Sequence, residues 1–529
     1  MDSPSQTVSD HNQVEIEDSG IYKAIFTKDG TLPENEAIEH SPRGSVQGWW
    51  RTPFMKQCFA TSGVTLSAMG DALVMCFTSV LLPQLRQSED IKLDAEQESW
   101  IASIVGLALI IGIIIVPSIM GRYGRRTANA ISNGLLAVSW FALFLASDYH
   151  SILFIRLLQG LSIGMTSILA PIIIGEYTSP KYRGAFLSTI ALAISLGILF
   201  VHSFSVFFTW KQLCLIFTAT TLLDCVIVVC SPETPTFLAA RGRYEECRKV
   251  FRSLRYPEEE IELEKMIKAN MNKTVINTNG TSFRDRFKGK LNYFLEMAKK
   301  REFYKPVILM FHLHIINEWS GSNIIEAYTR DIYAVIIGKN VDISLVMIST
   351  DICNLISNFL AIIIIRKVRR RVMLLGTISL NLLSFLLTAA HVYAKSCGIS
   401  TFDYPIVGIV LVHFHMFTLA IGNLPLPNII SGEIFCLEYR GISSMITLLF
   451  FCVNMIISMK TALFLFANIG LHGTYLLYAG FVSYGLLVSM IMLPETKDKT
   501  LLDIEEEFRG VKEDFETFIP HPDIELRKR

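Results

Sequence analysis

About twelve stretches of this chain are apolar for long enough to cross a lipid bilayer as helices. A transmembrane helix needs roughly 20 mostly apolar residues, because the hydrocarbon core of a bilayer is about 30 Å thick. The windows lie at about 57–85, 100–120, 127–147, 151–175, 184–208, 211–231, 304–328, 341–365, 372–394, 405–431, 440–466 and 473–493. Hydrophobic residues make up 51% of the 529 residues and charged residues 18%, which excludes an ordinary soluble protein. The sequence therefore predicts an integral membrane protein.

The windows fall into two groups of six, separated by a long polar segment. This order predicts an all-α membrane protein with twelve transmembrane helices in two six-helix halves. The predicted parts are a polar tail at 1–56, a first half at 57–231, a helical linker at 232–303, a second half at 304–493 and a second tail at 494–529. Within the linker, apolar and charged residues alternate at helical spacing from Phe237 to Lys268, which favours amphipathic helices.

Lysine and arginine in the short loops set the orientation, because they are retained on the cytoplasmic side of a membrane. Basic residues follow the second, fourth and eighth spans and fall on one side: Arg122, Arg125, Arg126, Lys181, Arg183, Arg366, Lys367, Arg369, Arg370 and Arg371. Both termini and the linker are thus predicted to be cytosolic, in a multi-pass protein of the plasma membrane. The same topology predicts that the sequons at Asn272 and Asn279, which lie in the linker, carry no glycan.

The two halves repeat a short motif at the cytosolic membrane edge. The chain reads GEYTSPKYRGA after the fourth span, with Glu176 and Arg183, and GEIFCLEYRGI after the tenth, with Glu433 and Arg440. A glutamate, seven residues and Arg-Gly recur at matching places, which indicates an internal duplication. Parallel repeats of this kind are typical of carriers whose substrate site lies between the halves at the bilayer midplane.

Further motifs occur in a fixed order along 50–505: SW at 99–100, GRYGRR at 121–126, PETPTFL at 232–238, RGRYEECRKVFRSLR at 241–255, SGSN at 320–323 and PETKDKT at 494–500. Through this ordered set the chain resembles the sugar porter branch of the major facilitator superfamily, and within it the insect facilitated trehalose transporters. The resemblance implies a carrier that moves a sugar or a similar small polar solute by alternating access. It also implies a cytosolic helical domain in the linker.

The resemblance further implies an inner latch of ion pairs at the cytosolic helix ends. The latch residues carried over from the family are Arg122, Arg126, Glu176, Arg183, Glu233, Glu433, Arg440 and Glu495. Partly desolvated pairs among them are expected to tie the halves together while the site faces outward. The alternative is that they are ordinary interfacial charges that only obey the topology.

Polar side chains that face the central cavity could replace the hydration of a sugar hydroxyl, and amides suit this because they both donate and accept. The resemblance carries over two amides, Asn323 of the SGSN motif and Asn354 in the eighth span. Other family positions have changed, which indicates a rebuilt pocket: the candidates there are Asn317, Glu318 and Asn428, with Glu326 as an added acid. Buried acids within a membrane tend to be paired or to line water. Glu318 and Glu326 thus either face an aqueous vestibule or contact the solute.

Asp71 in the first span and Arg156 in the fourth raise the possibility of proton coupling, because proton-coupled sugar porters place an acid and an arginine in these two helices. The register of Asp71 is offset by a position or two from the family's acid. Facilitated uniport is therefore preferred to proton symport. A non-transporting solute sensor built on a carrier scaffold is the main rival, because a fold does not fix a function.

Other classes of protein are disfavoured. Basic and acidic residues balance at 48 each, so the bulk charge indicates no nucleic-acid partner. No enzyme motif is found, and His312 with His314, like His413 with His415, are two apart and thus on different helix faces. We expect no catalytic residue, metal or cofactor, and a monomer whose partners are the solute and the lipid bilayer.

Overall fold

The computed structural model describes residues 52–87, 91–276, 295–338, 341–398, 404–436, 439–497, 499 and 501–509. The first half contains α1 (Pro53–Gln87), α2 (Ala95–Tyr123), α3 (Arg125–Leu145), α4 (Tyr149–Tyr177), α5 (Pro180–Ser205) and α6 (Trp210–Cys230). The linker contains α7 (Pro235–Ala240), α8 (Tyr244–Leu254) and α9 (Glu260–Ile276). The second half contains α10 (Arg301–Trp319), α11 (Ser322–Ile337), α12 (Ile343–Lys367), α13 (Arg370–Ser396), α14 (Pro405–Thr418), α15 (Pro425–Ile434) and α16 (Arg440–Met492), and α17 (Leu501–Arg509) follows it.

Within these described ranges, ten helical segments are long and apolar enough to cross a membrane. One of them, α16, has 53 residues and kinks at Gly470, where φ is +70°, so it holds two passes. The pair α10 and α11 forms another pass that is broken at Ser320 and Gly321. Counted this way, the path is consistent with twelve spans, and the predicted all-α membrane fold is confirmed.

The two ends of the helix bundle differ in how their helices begin. We call the end that carries the linker helices and α17 the linker side, and the opposite end the distal side. On the distal side, α2, α4, α6 and α12 begin with local side-chain caps from Asp94, Asp148, Thr209 and Asp342. These caps satisfy backbone N–H groups that a helix start leaves unpaired. On the linker side, α3 and α13 begin without such a local cap.

The linker helices form a small core of their own. Leu238, Phe251, Leu263 and Ile267 are buried together with Ala239 and Cys247, as the amphipathic pattern of the linker requires. On the outer faces, Arg248 lies 2.9 Å from Glu264, and this hydrogen-bonded pair raises the pKa of Arg248. The sequon at Asn279 lies outside the described residues, as does the side chain of Asn272, so the glycosylation prediction stays a prediction.

Glycines allow α2 and α4 to pack closely in the first half. Gly160 and Gly164 on α4 are four residues apart, a spacing that lets transmembrane helices approach backbone to backbone. A Cβ added at Gly164 would collide with the carbonyl oxygen of Leu109 on α2, and one at Gly160 with that of Val105. Neither position can accept a side chain unless the helices separate.

We therefore expect Gly164→Ala to destabilise the protein by about 1–3 kcal/mol, the usual cost of overpacking a tight contact. Thermal unfolding in detergent would show this as a lowered melting temperature. Gly175→Ala on the same helix is the matched control, because a Cβ there would meet no atom within 4 Å. Equal melting temperatures for the two variants would show that the close approach of α2 and α4 contributes little.

Candidate functional site

The broken span between α10 and α11 places two of the predicted solute-binding residues in contact. Glu318 lies in the last turn of α10 and is fully buried, and Asn323 lies in the first turn of α11. The Asn323 amide donates to Glu318 Oε2 at 2.6 Å, and the Ser458 hydroxyl on α16 donates to Glu318 Oε1. Gly321, with φ at +95°, makes the turn between them. Glu318 thus fixes the amide of Asn323 across the break.

Two more of the predicted solute-binding residues lie on the same two helices, α10 and α11. Asn317 is buried, and its carbonyl oxygen accepts from the hydroxyls of Ser320 and Ser322 at 2.7 and 3.2 Å. Glu326 is half-buried, two residues before a non-helical Tyr328 in α11. Among the residues that the structure describes, its carboxylate has no hydrogen-bond donor. A role of Glu326 in solute binding therefore stays a prediction.

The α12 helix carries Asn354 against the other half of the molecule. Its side-chain oxygen accepts from the Asn358 amide at 2.9 Å, and the same amide donates to Ser195 on α5 at 2.8 Å. One turn toward the distal side, Asp351 lies 2.6 Å from His202 Nδ1, also on α5. The predicted binding residue Asn354 therefore lies in a polar seam that joins the two halves.

Asn428 lies apart from these contacts. Its side chain is exposed, and its only hydrogen bond in the described part of the chain is a long one, 3.5 Å, to the Leu424 carbonyl oxygen of its own helical turn. The structure thus brings Asn323 and Glu318 together, with Asn317 beside them in sequence, and leaves Asn428 facing open space.

The acid and the arginine predicted for proton coupling are not brought together. Arg156 is fully buried and donates to the Val74 carbonyl oxygen at 2.9 Å, to the Thr78 hydroxyl at 2.7 Å and to Gln159 at 2.9 Å. Asp71 instead lies near a second acid, Asp224 on α6, and the two carboxylates repel each other. Neutral acceptors therefore surround Arg156 where the sequence predicted an acid.

At the linker side of the first half, a remote acid caps the start of α3. The Glu233 carboxylate accepts from the backbone N–H groups of Arg125 and Arg126 at 3.0 and 3.1 Å. The Arg125 guanidinium lies 3.2 Å from Glu176 on α4. Gly124, with φ at +100°, precedes the helix, and a Cβ there would collide with the Glu233 carboxylate. A negative charge at a helix N-terminus is stabilised by the helix dipole.

The second half repeats this arrangement with its own residues. Glu495 accepts from the backbone N–H groups of Arg370 and Arg371 at the start of α13, at 2.9 and 3.2 Å. The Arg370 guanidinium lies 3.3 Å from Glu433, which also accepts from Thr496 at 2.5 Å. The two clusters are thus duplicates that each close within one half.

The four predicted latch acids all take part in these clusters, but with other arginines than the sequence analysis selected. Glu176 pairs with Arg125 and Glu433 with Arg370, while Glu233 and Glu495 accept from backbone N–H groups. Arg126 contributes mainly its backbone N–H group. Arg122 is exposed, and the buried Nε atoms of Arg183 and Arg440 have no hydrogen-bond partner within the described ranges. The pairs close within each half in this conformation, so a role in joining the halves stays a prediction for the outward-facing state.

Polar contacts join the halves at the distal side. Arg86, near the end of α1, lies 2.6 Å from Glu98 in its own half and 2.8 Å from Asp331 on α11. The Ser99 hydroxyl donates to the Lys460 carbonyl oxygen on α16 at 3.0 Å. Together with the seam on α12, these contacts hold the halves against each other from the bundle centre to the distal end.

His202, Asp224 and Asn358 were not among the residues predicted from the sequence, although each is a polar residue inside an apolar window. Such residues are rare in membrane spans and mark functional or packing sites, so their presence was a usable signal. Their partners could not be read from the sequence, because His202 and Asp351 are 149 residues apart.

Comparison with known proteins places the chain among carriers. The model of the family described as "Sugar (and other) transporter" matches residues 59–508. The facilitated trehalose transporter Tret1 of Apis mellifera ligustica is 25% identical over 462 residues, which cover 86% of this chain and 89% of that protein. Its counterpart in Culex quinquefasciatus is 25% identical over 460 residues, covering 86% of each. The inward open conformation of the xylose transporter XylE from E. coli shares the fold, with a TM-score of 0.65 and 18% identity over 86% of this chain and 100% of that chain.

Proposed function

The chain belongs to the sugar (and other) transporter family and is a multi-pass membrane transporter of the major facilitator type; from that premise we propose that it carries a trehalose-type or hexose-type sugar, or a similar small polar solute, by alternating access. The observation that carries this proposal is the pair of polar clusters at the centre of the bundle, Glu318 with Asn323 and Asn354 with Asn358. Buried amides and a carboxylate at the meeting point of two halves suit a polyhydroxylated solute.

The relatives that are named as trehalose transporters support a sugar as the solute. Glu326 supports a solute rich in hydroxyl donors, because its carboxylate has no donor of its own in the described ranges. A carboxylate accepts hydrogen bonds from two adjacent hydroxyls, or pairs with an amine. Hence trehalose and hexoses come first among the candidates, and amine-bearing solutes are the alternative.

We further propose that the linker side faces the cytosol and that the protein acts as a monomer in the plasma membrane. The basic residues of the linker-side loops support this orientation. Because the halves are held together at the distal side, the conformation described here corresponds to a carrier that is closed toward the outside.

Facilitated uniport is the mode that we propose. The support is the environment of Arg156, whose guanidinium is bonded to neutral groups rather than to a carboxylate that could exchange a proton. Proton-coupled transport of a non-sugar solute and a solute sensor that binds without flux are the alternatives. Uptake of labelled trehalose, glucose, a polyol and an amine into vesicles containing the purified protein would distinguish them. Flux of a sugar supports the proposal, and binding without flux supports a sensor.

Asn323→Ala should lower the apparent affinity for the transported sugar about tenfold to a hundredfold. The change removes one amide from the site and takes away one of the two donors to the buried Glu318, and a hydrogen bond to a charged group contributes about 1.5–3 kcal/mol. The concentration dependence of uptake measures the effect. Asn468→Ala is the matched control, because Asn468 is exposed and its amide bonds only its own helix within the described chain, at Phe464. Similar uptake curves for the two variants would show that Asn323 does not bind the sugar.

A further inference from the structure

A histidine and an aspartate form a buried ion pair across the two halves. His202 Nδ1 on α5 lies 2.6 Å from Asp351 Oδ2 on α12, and the two side chains are 2% and 3% exposed. On its other side the imidazole faces α1, where Nε2 lies 3.1 Å from the Cys76 sulfur and 3.2 Å from the Ser79 hydroxyl. Three helices from both halves thus meet at one imidazole ring.

The hydrogen bonds around this ring indicate how many protons it shares. The Ser79 hydroxyl donates its single hydrogen to the Cys76 carbonyl oxygen at 2.8 Å, so toward His202 it can only accept. Nε2 must therefore carry a hydrogen for its contact with Ser79 to be favourable. The short contact between Nδ1 and Asp351 needs a second hydrogen, whichever of the two atoms holds it. The pair then binds one proton more than a neutral histidine and an ionised aspartate together.

Among the residues that the structure describes, no other acid is hydrogen-bonded to the pair and could supply this proton. Within the described ranges, the titratable groups that face it are Cys76 on α1 and both Glu326 and Tyr333 on α11. On α4, the Arg156 guanidinium is bonded to other groups, and on α6, Asp224 accepts from Ser67 and Asn133. The additional proton is thus shared between His202 and Asp351 themselves.

We propose that His202 and Asp351 form a proton-binding site that is assembled only when the halves close at the distal side. The proposal rests on the alternating-access movement proposed above, but not on the identity of the solute. When the halves separate at this end, the imidazole and the carboxylate part and enter water. An imidazole in water loses its second proton near pH 6.5 and an aspartate near pH 4, so at higher pH the separated groups hold one proton fewer.

The proton balance follows from the burial of the pair. On closing, one proton passes from the water of the distal side onto the His202 and Asp351 pair. Because both side chains are sealed from solvent, the proton stays there until the same side reopens, and it is then returned. No proton crosses the membrane in this cycle. The site therefore makes the carrier sensitive to pH without making it a symporter.

The state that binds more protons is favoured as the pH falls, with a tenfold change in the equilibrium for each proton and pH unit. We expect the ratio of distally closed to distally open molecules to fall about tenfold per unit between pH 7 and 8.5. Spin labels at the positions of Phe207 and Leu345, which are exposed on opposite halves at the distal end, would report this ratio as a distance distribution. The full chain in lipid nanodiscs, without solute, is the sample, so the result does not depend on transport.

His202→Gln should remove this pH dependence, and Asp351→Asn is a second variant in case the first fails to fold. His312→Gln is the matched control, because His312 is half-buried, lies on α10 and contacts Tyr484 instead. The proposal holds if the tenfold slope is kept in the control and lost in either pair variant. It is overturned if the wild-type ratio does not change with pH, or if a folded pair variant keeps the wild-type slope. If the protein moved no sugar but showed the tenfold slope, the proposed function would be contradicted and the proton-binding site would not.

Discussion

Glu318→Ala should nearly abolish transport, with the largest loss of any single change at the centre of the bundle. The substitution leaves the half-buried Asn323 amide without its acceptor, and leaves the buried Ser458 hydroxyl with the Met455 carbonyl oxygen alone. An unsatisfied donor inside a protein costs about 1–3 kcal/mol, so a loss of about 1–3 kcal/mol is expected at the break between α10 and α11. We expect sugar uptake to fall at least about a hundredfold, because the amide of Asn323 is no longer held in one orientation.

Glu318→Gln separates this role from simple loss of charge. A glutamine oxygen can accept from Asn323 while its amide donates to Ser458, whose own hydrogen already has a second acceptor in the Met455 carbonyl oxygen. We expect this variant to keep most of the uptake and the stability of the wild type. Equal loss in the alanine and glutamine variants would mean that the charge of Glu318, and not its hydrogen bonds, is what the carrier needs.

Combining Glu233→Ala with Glu495→Ala should destabilise the protein by the sum of the two single effects. Each acid accepts hydrogen bonds from two backbone N–H groups at the start of a helix, and losing such a cap costs about 0.5–2 kcal/mol, or more when the donors are buried. Because the clusters belong to different halves and share no partner, their effects should add to within about 0.5 kcal/mol. Unfolding free energies of the wild type, both single variants and the double variant measure this.

The same double-mutant cycle, made up of these four unfolding free energies, also tests the inner latch. If the two clusters joined the halves in the predominant conformation, as the resemblance implied for the outward-facing state, the effects would deviate from additivity by about 0.5–3 kcal/mol. Glu233→Gln and Glu495→Gln are the matched controls, because an amide oxygen can still accept from the helix start. A clear coupling energy in the alanine cycle would show that the closure within each half is not the resting arrangement.

The arrangement of spans was predictable from the sequence because each window is long and apolar. Inside lipid, the backbone N–H and C=O groups of such a window find their hydrogen-bond partners by forming a helix. The contact of Asn323 with Glu318 is a local one, since the two residues are five apart in the sequence across a Ser-Gly break. The duplicated clusters were visible as repeated motifs. Their chemistry was only half predicted, because which arginine of a short run faces an acid depends on where Gly124 turns the chain.

Contacts between distant spans could not be predicted. Whether Asp71 meets Arg156 depends on the rotation of α1 about its axis, and a shift of one or two residues turns a side chain to another face. The pair of His202 and Asp351 depends in addition on how the halves approach each other. The binding role predicted for Asn428 stays a prediction, since its exposed side chain neither joins the other candidates nor contradicts contact with a solute.

Exchange of labelled sugar across a vesicle membrane tests whether this chain carries a sugar by alternating access. Vesicles that contain the purified protein would be loaded with unlabelled trehalose or glucose and diluted into a trace of the same labelled sugar. A carrier with one alternating site predicts that the label accumulates transiently inside, and that Glu318→Ala removes this accumulation. Entry of the label at the same rate into loaded and empty vesicles, or no entry for any sugar tested although binding is measured, would contradict the account.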